Sequence, residues 1–371
     1  MRPAPGPGAG RSGIGGWQGR VVRLGSGVAL ALVAASPAPA QTCTPFGDPP
    51  AQLIESKAPT CTGGTLLGPW ADPDGTPRWA CLWRPRASAS RPRPLIVYLH
   101  PSLSGAKSAA APRGANLVPF VDTAELSSDP GVRGFILLAP EGRDTTHHYP
   151  WPDEKGTGWD QWYRQFDPAG DVTVGGVRYP ENVDAATIDH FIAAEVATGE
   201  VDTRRIFLMG WSNGASMAYE YALNRPEIAA IAVYSGGDPY QSASDPCSQV
   251  PVTGAPQSDE QVRVRHPGVP TYQVHNNCEI GGMCPNVLRL ESQLRSFGAI
   301  ADDTILNAAQ RPVGQCRPAC GTDPDGGTKS LLAATLGTRN HIRWPGDWTA
   351  AMLRFLAEHP QSTAPGTARL P

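Results

Sequence analysis

Charge is scarce in this chain. Of 371 residues only 18% are Asp, Glu, Lys or Arg, and the formal net charge is −3 at pH 7. So small and slightly acidic a balance offers no electrostatic footprint for a phosphate backbone, which excludes nucleic acid as an expected partner. Long apolar runs are lacking too. The clearest, from about Val28 to Ala35, is far too short to cross a bilayer, so no membrane partner is expected. Cysteine occurs 8 times, yet no C-x-x-C pair has a second matching pair, which argues against a structural zinc site. No internal repeat or low-complexity linker divides the chain beyond its N-terminal segment, so one domain is the simplest organisation.

What is present begins with an export signal. Arg2, Arg11, Arg20 and Arg23 supply positive charge, with no acidic residue before Asp48, and Ala38-Pro39-Ala40 follows the apolar segment as an A-x-A cleavage site. The expectation is a signal peptide over residues 1–40 and a mature chain starting near Gln41, secreted or periplasmic. Cys43, Cys61, Cys81, Cys247, Cys278, Cys284, Cys316 and Cys320 all lie beyond that point. An even number of cysteines in an exported chain points to disulfides. Short spacing makes Cys278–Cys284 and Cys316–Cys320 the expected local pairs.

Glycine (41) and proline (39) are abundant, implying long ordered loops rather than long helices. Among them, Leu95–Leu99, Phe135–Ala139, Ile206–Met209, Ala230–Tyr234 and Pro270–Val274 read as buried strands of a parallel sheet. Helical spacing of apolar residues runs over Ala185–Ala197, Asn286–Phe297 and Trp348–Leu356. Thr65–Trp70 and Arg78–Trp83 read as an antiparallel hairpin. Strands alternating with helices imply an α/β class, and a hairpin leading into a mostly parallel sheet with helices on both faces fits an α/β-hydrolase fold. Asp144–Tyr179, Gly236–Gly268 and Ala308–Thr328 read as loops leaving strand ends, where substrate sites are commonly built.

The pentapeptide Gly210-Trp211-Ser212-Asn213-Gly214 follows an apolar strand and opens a periodic helix, the setting of a G-x-S-x-G nucleophile elbow. Ser212 is therefore the candidate nucleophile. A serine hydroxyl needs a base to take its proton, and in this arrangement an acid and then a histidine follow the serine along the chain. His341 lies in a loop before the last helix and is the candidate base. Glu279, in the loop after Pro270–Val274, is the candidate acid, with Asp238, Asp302 and Asp303 as competitors. The oxyanion donors expected are the backbone amides of Asn213 and Ser102, since Pro101 has no N–H. His100 is either a support for that turn or a satisfied core histidine. Trp159 and Trp162, in an aromatic-dense segment, and Trp344, close after His341, are candidate substrate-binding walls. The alternative is that the aromatic segment fills the core of its own loop. Trp211 is expected to pack behind the elbow.

With Tyr98-Leu99-His100, Leu138-Ala139-Pro140-Glu141-Gly142, the block from Asn182 to Gly236, and His341 before Trp344-Pro345-Gly346, the chain resembles secreted α/β-hydrolases related to poly(3-hydroxybutyrate) depolymerases and feruloyl esterases. The resemblance spans most of Pro94–Leu356. It implies Ser212 as nucleophile, His341 as base, Ser102 and Asn213 as oxyanion donors, and an acid loop at Glu279, with no cofactor. It departs from that family in Pro101 where His-Gly is usual, in Glu279 where Asp is usual, and in one extra residue between His341 and Trp344. The activity implied is hydrolysis of small or oligomeric carboxylic esters. Acyl transfer or peptide cleavage on the same machinery and a non-catalytic extracellular binding role are the alternatives.

Overall fold

The computed structural model describes residues 41–42, 56–73, 75–87, 91–145, 156–159, 172–174, 177–179, 183–239, 266–279, 283–317 and 340–361. By its internal contacts the chain divides into Met1–Pro39 and Ala40–Pro371, and every described residue belongs to the second unit.

Nine strands make the central sheet: β1 (Thr65–Ala71), β2 (Pro77–Trp83), β3 (Arg93–Leu99), β4 (Ile136–Pro140), β5 (Val201–Trp211), β6 (Ala230–Tyr234), β7 (Thr271–Asn276), β8 (Ala301–Leu306) and β9 (Pro312–Val313). Their spatial order is β9-β8-β7-β6-β5-β3-β4-β2-β1. The strands from β3 to β8 pair in parallel, while β1, β2 and β9 pair antiparallel at the two edges. The fold is therefore an α/β-hydrolase, with the expected antiparallel hairpin at one edge. Strand order reverses around β3, which lies between β4 and β5, and the carboxyl ends of β3 and β5 flank that switch point.

The central strands are apolar along their whole length because both faces are covered. Leu95, Val97, Leu99, Leu208, Ile231 and Val233 face a core completed by Ile188 and Ile192 of α1 (Val183–Val196), Met217 and Tyr221 of α2 (Asn213–Ala222), and Leu290 and Leu294 of α3 (Met283–Ser296). Ile96, Tyr98, Phe207, Met209 and Tyr234 face the other side, with Met352, Phe355 and Leu356 of α4 (Thr349–Glu358). The period-two alternation of neighbouring residues between the cores is what a doubly covered parallel strand requires. Each fully buried Leu, Ile or Val contributes roughly 2 kcal/mol of transfer free energy. Among the described residues no helix is long and apolar enough to cross a membrane.

One expectation is corrected, and one strand appears where none was expected. Cys284 pairs with Cys316 across 32 residues, so neither Cys278–Cys284 nor Cys316–Cys320 forms. The pairing follows the sheet, because β7, β8 and β9 lie side by side and carry the two cysteines to one end. Cys61 bonds to Cys81 of β2, and Cys278 is also disulfide-bonded, to a partner outside the described residues. Strand β8 is the second difference. It lies in a stretch without a continuous apolar run, because Asp302 and Asp303 occupy its middle.

Candidate active site

Strand β5 delivers Ser212 to the carboxyl edge of the sheet. The turn into α2 is so tight that Ser212 takes φ 55°, in the left-handed region usually left to glycine. The flanking glycines are sterically required. A Cβ on Gly210 would lie 2.4 Å from the Gly214 carbonyl oxygen, and one on Gly214 would lie 2.2 Å from the Leu99 and 2.5 Å from the His100 carbonyl oxygens. That close approach also sets the end of β3 against the start of α2.

Ser212 Oγ lies 2.6 Å from His341 Nε2, and His341 Nδ1 lies 3.0 Å from Glu279 Oε2. His341 and Glu279 are buried. Burial pushes the Glu279 carboxyl up, but hydrogen bonds and charge at His341, with bonds from Ser235 and Asn276, outweigh it and hold the group below its ordinary value. Its Oε1 accepts from the Ser235 hydroxyl, from Asn276 N–H at 2.9 Å and from Asn276 Nδ2 at 2.7 Å. An ionised Glu279 only accepts, so Nδ1 of His341 carries the proton and Nε2 is left to accept from the serine.

The histidine loop is anchored from below. Trp211 Nε1 donates to the His341 carbonyl at 2.8 Å, and Tyr234 hydroxyl donates to the Asn340 carbonyl at 2.6 Å. Asn276 Nδ2 in turn donates to the Tyr234 oxygen at 2.8 Å. Burial and the charge of Glu279 raise the Tyr234 phenol, which keeps it a donor. Ser235, Asn276 and Tyr234 are absent from the residues read out of the sequence. The available signal was positional: each is a polar group at the carboxyl end of a buried parallel strand.

The competing acids are occupied elsewhere. Asp238 pairs with Arg289 at 2.5 Å. Asp303 lies 3.5 Å from both Arg295 and His275 Nε2, and Asp302 is exposed on β8.

Around the expected oxyanion position, Ser102 is half-buried and its backbone N–H has no hydrogen-bond partner among the described residues. His100 is a satisfied core histidine that supports this turn. Its Nε2 accepts from Gly142 N–H at 2.9 Å, so Nδ1 holds the proton and donates to the Pro101 carbonyl at 2.9 Å. The Glu141 carboxylate caps the short helix Ala106–Ala109 through Ala106 N–H, and buried Arg78 donates to the Glu141 carbonyl at 3.2 Å.

Trp159 is corrected from a substrate wall to a brace. It is 1% exposed, its indole N–H donates to the His100 carbonyl at 2.8 Å, and its ring lies 4.9 Å from the His100 ring. Its hydrophobic bulk packs against His100 at the end of β3. Trp344 is corrected likewise: it is buried, bonds Thr349 Oγ1 at 2.9 Å, and packs edge-on against Tyr98, Trp211 and Tyr234. Trp162 lies outside the described residues.

No protein-family model matches the chain, and no curated protein matches it. Among solved structures it is similar to a thermostable esterase at 16% identity and TM-score 0.47, covering 81% of this chain and 64% of that one, just under two thirds. It is also similar to a ferulic acid esterase at 12% identity and TM-score 0.45, covering 79% of this chain and 97% of that one. An acetyl xylan esterase from Aspergillus awamori gives 17% identity and TM-score 0.41, covering 63% and 81%. The fold follows from the strand order of this chain.

Proposed function

We propose that this chain is a carboxylic ester hydrolase using a serine nucleophile. The observation that supports it is the continuous contact from Ser212 Oγ through the His341 ring to Glu279, on a strained elbow at the sheet's switch point.

Ser212 Oγ attacks the ester carbonyl carbon while its proton passes to His341 Nε2. The carbonyl π bond becomes an oxyanion, held by the amides of Asn213 and Ser102 with help from the positive end of α2. The imidazolium is stabilised by Glu279. Collapse expels the alcohol, which takes the Nε2 proton and leaves an acyl-enzyme. Water then repeats the sequence, deprotonated by His341, and Ser212 is regenerated as the acid departs. The chain's own groups carry each of these proton transfers.

The substrates proposed are small or oligomeric esters: polyhydroxyalkanoate-type oligoesters, or feruloyl and acetyl esters of plant polysaccharide. The disulfides support work in an oxidising compartment outside the cytoplasm. The test is a panel of p-nitrophenyl acyl esters, methyl ferulate, acetylated xylan fragments and hydroxybutyrate oligomers, assayed beside Ser212→Ala. Hydrolysis lost in the variant supports the reading. A well-folded wild type inert across the panel contradicts it.

A further inference from the structure

Five large apolar side chains are exposed among the described residues, and two are Leu103 (59%) and Ile342 (64%). Each stands one residue from the site, Leu103 after Ser102 and Ile342 after His341. Scattered apolar exposure needs no explanation by itself, but Leu103 carries a second oddity. Ser104 N–H donates to the Pro101 carbonyl at 3.3 Å, closing a four-residue turn with Leu103 in its third position at φ 68°. A positive φ there is the place for glycine or asparagine, and leucine is strained in it because its Cβ crowds the following carbonyl oxygen. The Thr157 carbonyl, 2.7 Å from Leu103 N–H, holds it in place. The turn thus keeps a strained leucine whose side chain gains little from burial. Strain retained without a packing return points to function.

We infer that Leu103 and Ile342 are specificity-determining residues, Leu103 bordering the acyl chain and Ile342 the leaving alcohol. The inference rests on the hydrolytic reading above. An ester carbon at Ser212 Oγ has its carbonyl oxygen toward the Ser102 and Asn213 amides. Its leaving oxygen must reach His341 Nε2, because that nitrogen returns the proton. The residue beside His341 therefore borders the alcohol, and the residue beyond Ser102 borders the remaining substituent. The substrate class that fits is an ester with a hydrocarbon-rich group on both sides of the carbonyl.

The experiment measures two selectivity ratios in wild type, Leu103→Asn, Leu103→Gly and Ile342→Ser. One is kcat/KM for p-nitrophenyl octanoate over acetate, and the other is kcat/KM for hexyl over methyl butyrate. Both Leu103 variants suit the turn, so their melting temperatures should match or exceed wild type. The expected result is a loss of about tenfold in the acyl ratio for the Leu103 variants with the alcohol ratio unchanged, and the converse for Ile342→Ser. Folded, active variants with both ratios unchanged overturn the inference alone. A Ser212→Ala enzyme that still hydrolyses these esters overturns the inference together with the hydrolytic reading.

Discussion

Trp159 and Asn213 are joined by two hydrogen bonds running in opposite directions. Trp159 N–H donates to Asn213 Oδ1 at 2.7 Å, and Asn213 Nδ2 donates to the Trp159 carbonyl at 3.1 Å. The side chain of the residue after the nucleophile is thereby tied to the segment that also holds Leu103 and His100. One brace ties the residue after Ser212 to the turn that carries Ser102.

Breaking it should cost catalysis more than folding. Asn213→Ala keeps the backbone amide but frees its orientation and leaves both Trp159 backbone groups unpaired. Steady-state kinetics should show kcat falling about 10- to 100-fold with far-ultraviolet circular dichroism unchanged. An unchanged kcat would show that the brace does not position the amide.

Glu279→Gln should lower kcat by about 10³- to 10⁴-fold with little change in KM, because the amide neither stabilises the imidazolium nor fixes its tautomer. The same variant reports on acid stability. The Glu279 carboxyl is held below its ordinary value once folded, so its contribution is present above the unfolded pKa and is lost as pH falls through the folded one. Melting curves below about pH 4 should therefore fall more steeply for wild type than for Glu279→Gln.

Glu291 predicts the opposite slope. Burial, reinforced by the negative charge of Asp303, raises its carboxyl from 4.5 to about 9, and it lies fully buried in α3, 3.3 Å from Arg295. The native chain keeps a proton that the unfolded chain releases, so this contribution is full below the unfolded value and is lost as pH rises toward about 9. The slope is on the order of 1 kcal/mol per pH unit between those limits. Glu291→Gln, with its neutral amide, should flatten melting temperature against pH between about pH 5 and 9. Parallel wild-type and variant curves would contradict the assignment.

The acid loop is bracketed by disulfide-bonded cysteines, Cys278 directly before Glu279 and Cys284 shortly after it. Arg317 N–H also donates to the Asn277 carbonyl at 2.8 Å, tying the far end of the Cys316 segment to the same loop. Cys284→Ser with Cys316→Ser should destabilise the protein by about 3–4 kcal/mol from loop-closure entropy. It should also lower kcat, through looser positioning of Glu279, below the melting transition. Chemical denaturation and kinetics on the same sample separate the two effects.

The parts of this site readable in the sequence were those fixed by local sterics and short range. Gly210 and Gly214 announce the elbow because no side chain fits there, and the apolar runs announce strands because parallel sheets are buried on both faces. Chain order and loop position pointed to His341 and to Glu279, but left Asp238, Asp302 and Asp303 open, because all of them lie between Ser212 and His341; only the folded contact with His341 Nδ1 separates Glu279 from them. The disulfide pairing did not, since Cys284 and Cys316 meet only after β7, β8 and β9 assemble. Trp159 and Trp344 misled for a related reason. A tryptophan near a site is a good wall or a good wedge, and only the packing around His100 and Tyr98 decides which. Leu103 and Ile342 were invisible because exposure is a property of the fold.

The most direct test of the central claim is intact-mass spectrometry after treatment with an alkyl fluorophosphonate, followed by peptide mapping. The account predicts one adduct per chain, on Ser212, formed in step with complete loss of ester hydrolysis and absent from Ser212→Ala. A folded protein that hydrolyses esters yet takes no adduct, or carries it on another residue, would contradict Ser212 as the nucleophile.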